Sequence, residues 1–238
     1  MLIKTKAIVL SVIKYNDNDV IVKTFTQHSG FVSYYIKGLL KSKKGKLKKA
    51  FFQPNALLQL VATQKNKEQL EYIREANPYY HYKSLYLDFD KLSISTFMRE
   101  VLLESLKNEQ SDEALFNYIE TLFIQLDQNK FDPDIHLNFL VKLSQFLGFQ
   151  PQNNSPKKYF DMESGIFTDK LPAGEFLNFE ESNLLKRILG MVFDSNSIQK
   201  LSNYDRRKGI EILLKYYQLH IERFKMPKSL KILSQIYQ

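Results

Sequence analysis

The 238-residue sequence contains no cysteine. Disulfides, thiolate metal sites and cysteine nucleophiles are therefore excluded, and this composition is typical of proteins in the reducing cytoplasm. No stretch approaches the roughly 20 apolar residues that a membrane span requires. The apolar run AIVLSVI near the N terminus is short and has no small-residue cleavage site after it, so we interpret it as part of the fold and not as a signal peptide. We expect a cytoplasmic protein.

The motifs of several enzyme classes are also missing. The sequence has no phosphate-binding loop, no dinucleotide-binding glycine pattern and no HExxH zinc motif, and its four histidines are scattered. Two aspartate pairs, Asp88 with Asp90 and Asp132 with Asp134, are candidates for the metal site of a nuclease. Asp132 and Asp134 instead fit a helix start around Pro133, and the other pair fits exposed helix positions. We predict a binding protein with no catalytic residue, metal or cofactor.

Positive charge is concentrated in the first third of the chain. Residues 1–82 contain 14 Lys and Arg against 5 Asp and Glu, whereas residues 83–238 contain 20 against 21. The segment 37–49, KGLLKSKKGKLKK, has seven lysines and no acid. A solvated loop is one interpretation of this segment, but so localised an excess favours a polyanionic partner such as nucleic acid.

The first third has the alternation of β-strands, and the remainder has the period of helices. Five strands are predicted, interrupted by turn signals and by the lysine-rich segment, at residues 5–15, 20–26, 31–38, 55–64 and 68–76. Five strands in this length suit a small closed barrel of the OB type, and their number alone would suit an SH3-like barrel nearly as well.

Five helices are predicted in the remainder. They cover residues 82–107, a helix beginning at Ser111 and Asp112, a helix from Pro133 to Gly148, and residues 180–193 and 205–225. Residues 150–175 resemble a long loop carrying a short hairpin. The predicted fold is thus α+β with two domains: an OB-type β-barrel over 1–78 and a larger all-α domain over 79–238, with the hairpin as a small insertion.

The order of short motifs resembles the RecO family of DNA-repair recombination mediators. Tyr15 and the turn NDND lead into a strand ending in Phe25-Thr26, then a glycine turn at Gly30, a strand, and Lys37-Gly38 followed by lysines. Gln53-Pro54 before LLQL, the helix end FLGFQP and the terminal YYQLHIERFKMPKSLKIL continue the likeness in order. The resemblance covers essentially the whole chain.

One feature departs from the family pattern. Many members carry a four-cysteine zinc module after the Gly-x-x-Pro, whereas residues 150–175 keep the hairpin pattern without cysteine. No zinc is therefore expected, and we predict that four apolar side chains form a small clasp in its place: Tyr159, Phe160, Ile166 and Phe167.

The resemblance implies a protein without enzymatic turnover. It would bind single- and double-stranded DNA, anneal complementary strands and help load recombinase onto strands coated by single-strand-binding protein, and it would associate with the nucleoid. Its implied partners are a RecR-type ring protein and the acidic C-terminal tail of single-strand-binding protein, with the recombinase filament involved indirectly.

The candidate DNA-binding residues are cations and aromatics of the barrel. The lysines are Lys37, Lys41, Lys43, Lys44, Lys46, Lys48 and Lys49, with Lys4, Lys6, Lys14 and Lys23 continuing the track. Tyr34 and Tyr35 are candidate stacking residues, although adjacent strand residues face opposite sides and only one can lie in the groove. We interpret Phe51 and Phe52 as core residues.

The helical half is expected to offer an apolar pocket with a cationic edge for an acidic peptide. The candidate edge residues are Arg206, Arg207, Lys208 and Lys215, and an ordinary solvated helix face is the alternative. Two other functions stay open: an RNA-binding barrel protein of translation or ribosome assembly, and a metal-dependent nuclease.

Overall fold

The structure, a computed structural model, describes residues 1–41, 47–63, 70–107, 109–153, 157–193 and 201–232. The backbone forms two units, Met1–Phe131 and Asp132–Gln238. The last strand of the first unit ends at Pro78, but that unit continues through two further helices. The predicted domain boundary after residue 78 therefore stays a prediction.

Five strands of the first unit form a closed barrel. They are β1 (Leu2–Lys14), β2 (Val20–Thr26), β3 (Gly30–Ile36), β4 (Leu57–Thr63) and β5 (Glu71–Pro78). Around the barrel the order is β1-β2-β3-β5-β4, closed by pairing of β4 with β1. All pairs are antiparallel except β3 with β5. The predicted five-stranded OB-type barrel is confirmed.

Alternation along the strands fills the barrel with apolar side chains. The interior includes Val9, Val22, Tyr34, Leu60 and Ile73, all buried. β3 begins at Gly30, which has a φ of +69°. A Cβ at this position would lie 2.5 Å from the backbone of residues 109 and 110. Both the dihedral angle and the close approach require glycine.

Two helices cover part of the barrel's outer surface. They are α1 (Phe89–Ser105) and α2 (Glu113–Gln128). The ring of Phe25 stacks on Phe116 of α2 at 6.2 Å between centroids, and Nη1 of Arg99 on α1 donates to the carbonyl of Leu10 at 2.8 Å. Among the described residues, no helix combines the length and the apolar character needed to cross a membrane.

The first helix begins later than predicted, at Phe89 instead of residue 82. The carboxylate of Asp127 accepts the N–H groups of Lys83, Ser84 and Leu85 at 2.7 to 3.0 Å, which holds these residues outside a helix. Asp88 then caps α1, and Asp112, one residue after the predicted cap, caps α2 by accepting from Leu115.

The described part of the second unit includes three helices and a three-stranded sheet. The helices are α3 (Ile135–Phe146), α4 (Phe179–Phe193) and α5 (Asn203–His220), and the strands are β6 (Tyr159–Asp161), β7 (Ile166–Thr168) and β8 (Phe176–Leu177). α3 begins at Ile135 and not at the predicted Pro133, since Pro133 and Asp134 form a turn, and α5 ends five residues before the predicted 225. The hairpin was predicted, whereas β8 was not.

The small sheet packs on α5 through aromatic side chains. Phe160 and Phe167 are buried 4.9 Å apart, and the ring of Phe160 lies 5.8 Å from that of Tyr216. Of the other two predicted clasp residues, Tyr159 is half-buried against Phe176, and Ile166 is exposed. Two of the four therefore form the apolar contact that was expected.

Candidate nucleic-acid interface

Adjacent tyrosines of β3 point to opposite sides of the barrel wall. Tyr34 is only 1% exposed and belongs to the interior cluster, where burial and then the nearby Glu71 raise the pKa of its hydroxyl. The prediction that Tyr34 could stack on bases is wrong, because its ring is enclosed by the barrel. Tyr35 faces outward, as the alternation of a strand requires.

Strand register places Tyr35 in a row of half-buried and exposed apolar residues on the outer wall. Ile13 of β1 pairs with Ile21 of β2, Ile21 pairs with Tyr35, and Tyr35 pairs with Tyr72 of β5. Ile13 is 44% exposed and Tyr72 is 49% exposed. This part of the outer wall includes the strand 2–3 face by which OB barrels bind oligonucleotides.

Three tyrosines on this face contact one another edge to face. The Tyr15 and Tyr35 ring centroids are 5.8 Å apart, and those of Tyr35 and Tyr72 are 6.0 Å apart, with interplanar angles of 88° and 89°. We call Tyr15, Tyr35 and Tyr72 the tyrosine row. Aromatic rings exposed in this way are the stacking surfaces that unpaired bases use. Sequence reasoning did not include Tyr15 and Tyr72. The register of β3 and β5 brings Tyr72 beside Tyr35, and the turn after β1 brings Tyr15 there.

A single carboxylate fixes the ends of β2 and β3 beside this row. Asp19 accepts hydrogen bonds from the hydroxyl of Tyr35, from the N–H of Gly38 at 2.7 Å and from Nδ2 of Asn16 at 2.6 Å. The Tyr35 hydrogen bond, then those of Gly38 and Asn16, lower the pKa of Asp19, and the same bond raises the pKa of Tyr35 to about 12. The carboxylate therefore holds Tyr35 and the start of the lysine-rich segment in fixed positions.

The described lysines of that segment are exposed. Lys37, Lys41, Lys48 and Lys49 form no salt bridge with any carboxylate that the structure describes, although the charge of Lys37 helps to lower the pKa of Asp19. The predicted lysines Lys43, Lys44 and Lys46 lie outside the described residues. Exposed ammonium groups together with accessible aromatic rings suit a ligand that carries both phosphates and bases.

The remaining predicted lysines differ in availability. Lys23 is half-buried on the outer face, paired in register with Ser11 and Ser33, and Lys4 is exposed on β1. Lys14 contacts the exposed Asp17 at 3.1 Å.

Lys6 is the least available of these lysines. Its ammonium group contacts Glu120 of α2 at 3.0 Å and lies 4.9 Å from the centre of the Tyr79 ring. Its charge is thus already compensated.

Among the aromatic residues near the lysine-rich segment, Phe52 is buried and Phe51 packs partly against the barrel interior, as expected for core residues.

The predicted cationic edge of the second unit is largely paired with acids. Nε of Arg206 donates to Asp134 at 2.6 Å with 11% of the arginine side chain exposed, so the prediction of a binding role for Arg206 is wrong. Lys208 contacts Glu181 at 2.8 Å and Lys215 contacts Glu175 at 2.5 Å. These ion pairs compensate both lysine charges. Arg207 is half-buried and stays a prediction.

The aspartate pairs considered for a nuclease have structural roles. Asp88 accepts the N–H groups of Asp90 and Lys91 as a helix cap, and Asp132 accepts the N–H of Asp134. Within the part of the chain that the structure describes, no three His, Asp or Glu side chains come together as a metal site would require.

Comparison with known proteins accounts for the whole chain. The family model "Recombination protein O N terminal" matches residues 1–82, and "Recombination protein O C terminal" matches residues 86–230. The protein named DNA repair protein RecO in Christiangramia forsetii is 39% identical, and that in Flavobacterium psychrophilum is 36% identical, each over 238 residues and all of both chains. The one in Bacteroides fragilis is 32% identical over 242 residues, again with both chains covered completely. The resemblance predicted from the motifs is confirmed: the chain belongs to the RecO family of DNA repair and recombination proteins.

Proposed function

We propose that this protein binds single- and double-stranded DNA, anneals complementary strands and helps load recombinase onto strands coated by single-strand-binding protein, without enzymatic turnover. The observation that carries the proposal is the link that Asp19 makes between the tyrosine row and the start of the lysine-rich segment, since it accepts hydrogen bonds from the Tyr35 hydroxyl and from the Gly38 N–H. The described lysines of that segment, Lys37, Lys41, Lys48 and Lys49, are exposed. Phosphates and bases are the two chemical groups that such a surface binds together.

The lysines provide attraction without reading sequence. An ammonium group makes a point contact with a phosphate and does not form the bidentate hydrogen bonds by which arginine recognises a base edge. Tyrosine rings contact the face of any base, so stacking is also tolerant of sequence. The combination supports sequence-independent binding of DNA.

The same contacts suit annealing. Neutralised phosphates let two strands approach, because lysine binding reduces the repulsion between their backbones. Bases stacked on tyrosines keep their hydrogen-bonding edges free, so a complementary strand can pair with them. Contacts of this kind are individually weak, which allows the duplex to leave once it has formed.

Membership of the family supports three partners: a RecR-type ring protein, the acidic tail of single-strand-binding protein and, indirectly, the recombinase filament. Each would act after or during DNA binding. In this proposal the barrel contacts DNA, and recognition of the acidic tail of single-strand-binding protein recruits the protein to coated strands.

A strand-annealing assay with DNA and with RNA, each with and without Mg²⁺, tests the proposal. It is combined with capture of single-strand-binding protein that either carries or lacks its tail. We expect annealing of DNA that does not need Mg²⁺, and capture that depends on the tail.

Three other outcomes would overturn the proposal. A preference for RNA would support the translation or ribosome-assembly alternative, and Mg²⁺-dependent cleavage would support a nuclease. Annealing that is unchanged when Tyr35 and Lys37 are both replaced by alanine would remove the barrel face from the mechanism.

A further inference from the structure

A second row of side chains crosses the outer wall of the barrel beside the tyrosine row. Ser11 of β1 pairs in register with Lys23 of β2, and Lys23 pairs with Ser33 of β3. Lys23 follows Ile21 by two positions and Ser33 precedes Tyr35 by two, and strand residues two apart face the same side. We call Ser11, Lys23 and Ser33 the hydroxyl–lysine row.

The polar groups of this row are available to a ligand. All three side chains are half-buried. Within the described ranges, no hydrogen bond or ion pair involves the hydroxyls of Ser11 and Ser33 or the ammonium group of Lys23. Polar groups with reduced access to water gain from a ligand that supplies the missing hydrogen bonds.

The row has the chemistry of a contact to a phosphodiester backbone. Serine hydroxyls and lysine ammonium groups bind phosphate oxygens, and such contacts do not read the sequence of bases. The row lies about 7 Å from the tyrosine row, because two residues of a strand span that distance. A nucleotide whose phosphate is bound by the hydroxyl–lysine row can therefore place its base over a tyrosine ring.

The lysine-rich segment begins beyond the other side of the tyrosine row. Along β3 and the residues after it, Ser33 precedes Tyr35 by two positions and Lys37 follows Tyr35 by two. Asp19 holds this start of the segment by accepting the N–H of Gly38 at 2.7 Å. The stacking surface thus has phosphate-binding groups before it and after it along the strand.

A single strand cannot use both sides with the same nucleotides. Each phosphate is joined through the sugar to one side of its base, so a base stacked on the tyrosine row has its backbone on one side of the row only. Groups that bind phosphates on both sides therefore suit two strands, whose backbones run along opposite sides and whose bases meet over the tyrosines.

We infer that the barrel wall binds two single strands side by side, one with its backbone on the hydroxyl–lysine row and the other with its backbone along the lysine-rich segment. The inference rests on the proposed function and assigns the second strand of annealing to Ser11, Lys23 and Ser33. The lysine-rich segment contributes more cations and binds the first strand more tightly, whereas the one ammonium group of Lys23 gives a weaker second site. A weak second site allows strands to exchange until a complementary one pairs.

Simultaneous binding of two strands that cannot pair with each other tests the inference. The probes are oligothymidylates of about eight nucleotides, a length within the range that one barrel covers, labelled with either a donor or an acceptor fluorophore. We expect energy transfer between the two labels when both strands are mixed with the full chain. Native mass spectrometry at excess oligonucleotide should show two strands per chain.

Substitutions in the hydroxyl–lysine row locate the second strand. Lys23→Gln should weaken binding of the second strand about tenfold and slow annealing to a similar extent, because a hydrogen bond to a charged group is lost. The affinity for the first strand should stay within about twofold. The joint change Ser11→Ala and Ser33→Ala should act in the same direction.

Two controls accompany these variants. Lys23→Arg keeps a cation in the row and should retain both strands and the annealing rate. Lys130→Gln removes an exposed lysine of the first unit and should change neither quantity. Circular dichroism and thermal unfolding confirm that each variant is folded.

The outcomes separate this inference from the proposed function. Annealing by a protein that binds one strand per chain overturns the inference and leaves the proposed function standing, and so does an unchanged second-strand affinity in Lys23→Gln. Equal losses for the first and second strands in that variant would show that both sides serve one strand, which also overturns the inference. Two strands bound side by side without faster annealing would instead overturn the proposed function, and absence of any DNA binding would overturn both.

Discussion

Tyr35 combines two functions in one side chain. Its ring forms the centre of the tyrosine row, and its hydroxyl donates to Asp19, which also accepts the N–H of Gly38. A tyrosine fixed by its own hydroxyl loses little further rotational freedom when a base stacks on it. This residue is therefore prepared for stacking before DNA arrives.

Substitutions of Tyr35 separate the ring from the hydroxyl. Tyr35→Ala should weaken binding of single-stranded DNA about tenfold, since stacking of one base contributes about 1–3 kcal/mol. Tyr35→Phe keeps the ring and should retain most of that affinity. Fluorescence anisotropy with a labelled oligonucleotide measures both. Tyr204→Ala removes an exposed tyrosine of the second unit and is the control. If this variant lost as much affinity for single-stranded DNA as Tyr35→Ala, the tyrosine row would not be the stacking surface.

Asp127 is a second carboxylate that organises backbone from a distance. Burial by itself would raise its pKa, but hydrogen bonds from the amides of Lys83, Ser84 and Leu85 and from the hydroxyl of Tyr80 outweigh burial and lower the pKa to about 2. The folded state thus binds this proton less readily than the unfolded state does. The resulting stabilisation is complete above about pH 4 and is lost as the pH falls towards 2.

Asp127→Asn should lower the free energy of unfolding at pH 7 by about 2 kcal/mol, because an amide presents only one acceptor oxygen to these donors. The difference between variant and unaltered protein should shrink as the pH falls from 4 towards 2. Urea denaturation at several pH values measures it. Asp17→Asn, at an exposed position in the turn after β1, should show neither effect. A difference that is constant with pH would contradict the role of the charge.

At the scale of elements, regular strands and helices could be predicted from sequence, because alternation and 3.6-residue periodicity are local properties. The start of α1 could not, since the residues before it are held by Asp127, more than 40 positions later. Contacts between residues far apart in sequence also limited the prediction of the nucleic-acid interface. Tyr35 could be proposed from its strand alone, whereas Tyr72 joins it through the register of β3 and β5, and Tyr15 through the turn after β1.

The predicted edge on α5 shows a related limit. Sequence shows where Arg206, Lys208 and Lys215 stand but not which carboxylates they meet, and the three meet Asp134, Glu181 and Glu175. Lys48 and Lys49 have no such partners among the described residues. Compensation by distant acids, and not the number of cations, decides which basic segment is available to a ligand.

The turn between β6 and β7 is an element whose geometry requires glycine. Gly165 has φ +70°, and a Cβ at this position would lie 2.5 Å from the hydroxyl of Tyr216 on α5. Gly165→Ala should therefore lower the free energy of unfolding by about 1–3 kcal/mol and lower Tm measurably. DNA affinity should not change, because the barrel is untouched.

Gly174→Ala is the matched control. The three atoms nearest to a Cβ there belong to the carboxylate of Glu163, the end of a flexible side chain, and φ is not positive. Gly174→Ala should lower the Tm measured by differential scanning calorimetry less than Gly165→Ala does. Equal destabilisation by the two substitutions would show that the contact with Tyr216 does not limit the turn.

At the scale of the whole molecule, net charge is less informative than its distribution. The chain carries +8, yet residues 83–238 contain one more acid than base. A uniformly basic protein would attract polyanions over its entire surface. Here the excess lies in the part of the chain that forms the barrel, so the dependence of DNA binding on salt should follow the barrel lysines alone.

That expectation can be measured as a slope. If about four phosphates of a single strand are engaged, the logarithm of the binding constant should fall with the logarithm of salt concentration at a slope near −3, and each lysine that ceases to contact a phosphate should reduce the slope by about 0.7. The joint replacement of Lys37, Lys41, Lys48 and Lys49 by glutamine should therefore weaken binding and flatten the slope, with thermal unfolding unchanged.

The control replaces four exposed lysines of the second unit by glutamine: Lys157, Lys158, Lys225 and Lys228. It removes the same charge and should leave the slope near −3. Titrations at several salt concentrations distinguish local contact from overall charge. A slope near zero in the unaltered protein, or equal flattening by both sets, would mean that the barrel lysines are an ordinary solvated surface.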